Sequence, residues 1–128
     1  MKNSRGFTLV EVIVVAIIVA VLAAAAIGFY IHYTRDAKRS VCDNMAESLA
    51  TFCAACRSAE GLISPALPQT GLAEGTVIRC SMVQGEPEKG AWIVPSGLEC
   101  DISGDMNNGG DAVVRNVGIP SIFGTRTW

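Results

Sequence analysis

Histidine occurs once in this chain, at position 32, and that scarcity narrows the chemistry at the outset. A single histidine leaves no paired-histidine metal motif, no Ser-His-Asp set is visible, and no glycine-rich phosphate loop ending in Lys-Ser or Lys-Thr occurs. His32 lies between Ile31 and Tyr33 beside a long apolar run, which marks it as interfacial rather than catalytic. Charge is also sparse. Asp, Glu, Lys and Arg make up 17% of residues and the formal net charge is -2, so bulk electrostatics give no basis for nucleic-acid binding. Only 6% of residues are aromatic, and Trp92 and Trp128 are expected to pack in or at the edge of a core rather than stack on a ligand. An enzyme is not expected, and nothing in these counts requires a cofactor.

Charge is missing altogether from Val12 to Ile31. Such a run can cross a bilayer as a helix, and it is apolar on every face where a soluble helix would show one stripe. A short basic leader (Lys2, Arg5) precedes it, ending at Gly6, and the run carries one acid at its start, Glu11. A carboxylate at the edge of an apolar membrane segment is costly and ordinarily has a partner.

Gly6 followed by Phe7-Thr8-Leu9-Val10-Glu11 resembles the processing site of type IV pilins and of type II secretion pseudopilins. The resemblance covers roughly residues 1 to 33 and fades along the helix that follows. It implies cleavage after Gly6 by a prepilin peptidase, N-methylation of Phe7 and retention of the apolar segment. It implies a leader on the cytoplasmic side of the bacterial inner membrane and a head on the periplasmic side. The subunit then moves from membrane lipid into a homo-oligomeric helical filament, with the assembly platform and minor pilins as partners. Glu11 becomes an assembly contact, its carboxylate answering the Phe7 amine of a neighbouring subunit in an apolar core where an unpaired charge costs several kcal/mol. With the leader gone, Lys2 and Arg5 go too, leaving a net charge of about -4. An ordinary secretory signal cut near Ala23-Ala24-Ala25-Ala26 is the competing reading; Glu11 and the length of the run oppose it. Gly28 stands where many pilins carry proline, so local helix melting there is less expected than in those relatives. The basic residues Arg35, Lys38 and Arg39 beyond the run are expected to form a solvated face.

Beyond the membrane run, Val41, Met45, Leu49, Phe52, Cys56 and Ala59 fall at helical spacing. One helix is therefore expected from Phe7 to Glu60, capped by Gly61 and halted by Pro65. Residues 61–75 read as a connecting loop. Strands are expected at Thr76–Val83, Ala91–Val94, Leu98–Ile102 and Ala112–Val117, with a polar turn at Gly85–Gly90 and a tail from Ile119. The fold class is α+β: a long N-terminal helix on a small antiparallel sheet, pilin-like. The divisions are a leader (1–6), a membrane and filament-core helix (7–31), its amphipathic continuation (32–60) and a head (61–128).

Five cysteines in so small a head point to an oxidising compartment and leave at least one unpaired. Cys42, Cys53 and Cys56 share one helix face to within about 60°. Cys53-Ala54-Ala55-Cys56 lacks the following histidine of a haem site and sits at a helix end, not at the helix start a redox pair uses. The two are too far apart on a helix for a relaxed mutual disulfide, so each is expected to turn to Cys80 or Cys100. Zinc held by Cys53, Cys56, Cys80 and Cys100 is the alternative. Oxygen side chains recur at Asp101, Ser103, Asp105 and Asn107, with Asp111 beyond, an alternation that calcium loops use. Glycine is missing from the sixth place and Ala112 replaces the closing acid, so a plain Asn/Gly turn competes with calcium.

Overall fold

The computed structural model describes residues 6–81 and 90–128. The chain divides into two compact units, Met1–Asp36 and Ala37–Trp128. One α-helix, α1 (Leu9–Ser58), contributes to both. It begins two residues later than expected because Thr8 is its N-cap: the Thr8 Oγ1 accepts the Glu11 amide proton at 3.4 Å. It ends two residues earlier. Glu60 takes a positive φ of 55°, its amide bonds the Arg57 carbonyl, and the Gly61 amide reaches back to the Cys56 carbonyl. This paired closure is a Schellman arrangement with glutamate, not Gly61, in the left-handed position. Glycine is needed at 61 for another reason: a Cβ there would sit 2.8 Å from the Cys80 sulfur and 2.9 Å from that of Cys56.

In the second unit α1 packs on antiparallel sheets. Among the described residues there are seven strands, against the four expected for the chain. β1 (Leu62–Ser64), β3 (Val77–Ser81) and β4 (Gly90–Ile93) form one sheet in the order β1-β3-β4. β2 (Gln69–Leu72), β5 (Leu98–Ile102), β6 (Asp111–Asn116) and β7 (Phe123–Thr127) form the other in the order β2-β5-β6-β7. The segment 61–75 is thus not one loop; it holds β1 and β2, separated by Pro65 and Pro68. The tail is not a tail either, since Phe123 to Thr127 pairs along β6. Residues 82 and 83 of the first expected strand, and all of the expected polar turn except Gly90, lie outside the described residues.

Strand alternation sets which side chains meet the helix. Leu98, Cys100 and Ile102 of β5 and Ala112 and Val114 of β6 face inward and are buried, while Glu99, Asp101, Val113 and Arg115 face outward. The helix meets them with Cys42, Ala46, Leu49, Ala50, Cys53 and Cys56. This stripe is rotated from the expected one: Val41 is 47% exposed, and Met45 and Phe52 only flank the core. Small side chains replace bulky ones because β7 comes very close. A Cβ on Gly124 would lie 2.6 Å from the Cys42 carbonyl oxygen and 2.7 Å from the Asp43 Cα.

Candidate functional site

The N-terminal unit is built from side chains with nothing to cover them. From Leu9 to Ile31 every residue is exposed, including Ile17, Ile18, Val21, Leu22, Phe29 and Tyr30. Burying each large aliphatic of this kind is worth about 1.5–3 kcal/mol, so the segment carries a large unmet driving force for lipid or for other helices. Its helix is long and apolar enough to cross a membrane. Gly28 continues the helix without a break and has open space around it.

Glu11 is the sole charge on this segment until Arg35 if His32 is neutral. Glu11 and Val15, one turn apart on α1, line a shallow hollow together with Val12 and with Phe7, which lies just ahead of the N-cap. Thr8 and Glu11 stand in the Thr-x-x-Glu spacing of a capping box, a role for Thr8 that hydropathy alone passes over and that the spacing itself could have signalled. The carboxylate lies in the first turn, where the helix dipole favours negative charge.

The cysteines are divided by the fold. Cys56 and Cys80 form a disulfide with a Cα–Cα distance of 5.7 Å, joining the end of α1 to β3. Cys42, Cys53 and Cys100 are free, buried thiols. Cys53 therefore does not find the partner expected for it, and a zinc site using Cys53, Cys56, Cys80 and Cys100 is not formed because two of its sulfurs are bonded to each other. Burial pushes the Cys53 thiol up to about 12. Burial, with Cys42 and Glu99 nearby, does the same to Cys100, again to about 12. Burial, helped by Asp43, also raises Cys42. These are inert core thiols rather than nucleophiles.

The oxygen-rich loop is likewise divided. The Asp101 carboxylate receives the Gly71 amide at 2.7 Å and the Arg115 guanidinium. Ser103 exchanges hydrogen bonds with the Asp111 backbone, and the Asp111 carboxylate accepts from the Thr127 hydroxyl at 2.8 Å. Asp105 turns inward on its own loop, accepting the amides of Asn107 and Asn108 at 2.8 Å each. The Asn108 side-chain amide, followed by these backbone amides, holds its carboxyl below the usual range. Asn107 offers the loop its backbone amide. Among the described residues no three His, Cys, Asp or Glu side chains are gathered in a geometry that could hold a metal.

The N-terminal features are the ones that comparison with known proteins recognises. Residues 1–27 match the family described as the prokaryotic N-terminal methylation motif. The match covers Gly6, Phe7 and Glu11 and stops short of Gly28 and the head. No curated protein and no solved structure matches the chain. The likeness is thus confined to the N-terminal segment that holds the cleavage and methylation residues expected from the sequence. The α+β arrangement behind it, one long helix on antiparallel sheets, is pilin-like.

Proposed function

We propose that this chain is a structural subunit of a type IV pilus-like filament, cut after Gly6, methylated at Phe7 and polymerised through α1. The observation that carries this reading is the pairing of an uncovered apolar helix with a single carboxylate, Glu11, placed directly behind the methylation motif. In lipid the exposed Val, Ile and Leu side chains are satisfied but Glu11 is not. In a bundle of like helices both are satisfied, provided a cation arrives at each Glu11. The Phe7 amine of a neighbouring subunit is that cation, and the pairing fixes the step between subunits. The head contributes the filament's surface, and its oxygen-rich loop is closed by its own hydrogen bonds.

Filament yield from a Glu11→Ala chain tests the assembly role. Cleavage intact but filaments lost supports it; filaments as abundant as those of the unchanged chain would show that Glu11 is incidental to assembly. A secretion pseudopilin shares the leader. Deleting the chain separates the two: lost surface pili support the pilus reading, whereas stalled protein secretion with pili intact assigns it to the secretion machinery.

A further inference from the structure

The loop between β5 and β6 contains Asn108 followed by Gly109, the dipeptide whose backbone is least shielded against attack on an asparagine side chain. We infer that Asn108–Gly109 is a latent site of spontaneous deamidation and that the Asp105 carboxylate holds it closed. The reaction needs only water. The Gly109 amide nitrogen gives its proton to solvent and bonds to Cγ of Asn108. The bond from Cγ to Nδ2 then breaks, and Nδ2 leaves as ammonia after taking up a proton. Water opens the resulting succinimide to aspartate or isoaspartate. No oxidant or reductant enters.

The fold requires glycine here. Gly109 has a φ of 82°, and a Cβ on it would lie 2.6 Å from an Arg57 guanidinium nitrogen and 3.2 Å from the Trp128 carbonyl carbon. The hazard therefore cannot be removed by giving residue 109 a side chain. Asn108 is exposed to water. Both reacting groups are nevertheless engaged. The Gly109 amide donates to the Asp105 carbonyl at 2.9 Å. The Asn108 Nδ2, the leaving group, donates to Asp105 Oδ2 at 3.0 Å and to Oδ1 at 3.3 Å. The Asn108 amide donates to Oδ1 at 2.8 Å, fixing the backbone between them. One residue thus restrains nucleophile, leaving group and the linking backbone. An aspartate is ionised throughout the alkaline range where the base-promoted reaction runs, so the clamp stays charged there. If the reaction does occur, the product carboxylate at 108 faces Asp105, loses the Nδ2 donor and opens the loop.

The test is peptide mass mapping, with isoaspartate detection, of the full-length chain in detergent held warm at mildly alkaline pH. Asn108 should stay intact in the native chain while it converts in the same chain under denaturant. Asp105→Asn should deamidate Asn108 several-fold faster than the unchanged chain while still folded. Asp105→Ser serves if that variant does not fold, since serine keeps an acceptor for the backbone amides but cannot clamp Nδ2. Equal rates for native and denatured chain, or no acceleration in a folded Asp105 variant, would overturn the inference.

Discussion

The Thr8 Oγ1 accepts the Glu11 amide proton at 3.4 Å, so the residue that caps α1 also orients the turn bearing the one carboxylate of its apolar segment. Replacing Thr8 by Ala removes this bond and should cost about 1 kcal/mol of local helix stability. Amide exchange over the first turn should quicken in Thr8→Ala. Filament yield should fall less than in Glu11→Ala, because the carboxylate itself is kept.

Gly124 is where β7 touches α1. Gly124→Ala places a methyl 2.6 Å from the Cys42 carbonyl oxygen and 2.7 Å from the Asp43 Cα. Backbone atoms cannot swing aside, so the helix must lift. A loss of about 1–3 kcal/mol is expected in denaturant unfolding of the full chain. Gly28→Ala is the contrasting case: it meets open space on a helix, and should strengthen the helix by about 1 kcal/mol.

The thiols give a count and a pH dependence. With no reductant present, thiol titration should find three reactive cysteines after denaturation and almost none before, with one disulfide throughout. Cys53 and Cys100 hold their protons to about pH 12 when folded. An unfolded thiol releases its proton near pH 8.5. The folded state thus binds more protons between those limits, and stability should be full below about pH 8.5 and fall as pH rises towards 12. Stability that stays level from pH 8 to 11 would contradict this burial.

Calcium gives a separate readout on the oxygen-rich loop. Asp101 is engaged by Arg115 and Gly71, and Asp105 by Asn107 and Asn108, so added calcium should leave the melting temperature unchanged. A rise that chelator reverses would mean that these carboxylates rearrange around the ion.

Much of this was legible in the sequence where local rules act alone. The apolar run needed no tertiary information, and β5 fell at Leu98–Ile102 because alternation and turn residues agree there. What sequence could not supply was close approach. Bulky Val41 and Met45 suggest one stripe, yet the buried face runs through Cys42, Ala46, Leu49 and Ala50, and at Cys42 the Gly124 backbone of β7 lies directly against the helix. β1 and β2 were hidden among Gly, Pro, Ser and Thr, since three- and four-residue strands owe their existence to β3 and β5 beside them. The partner of Cys56 was one of two candidates until Gly61 and β3 brought Cys80 against it.

Intact mass of the chain purified from a prepilin peptidase-bearing host tests the central claim most directly. The account predicts loss of residues 1–6 and gain of one methyl group, with the whole apolar helix retained. A mass lacking everything through about Ala26, as an ordinary signal peptidase would leave it, would contradict the account.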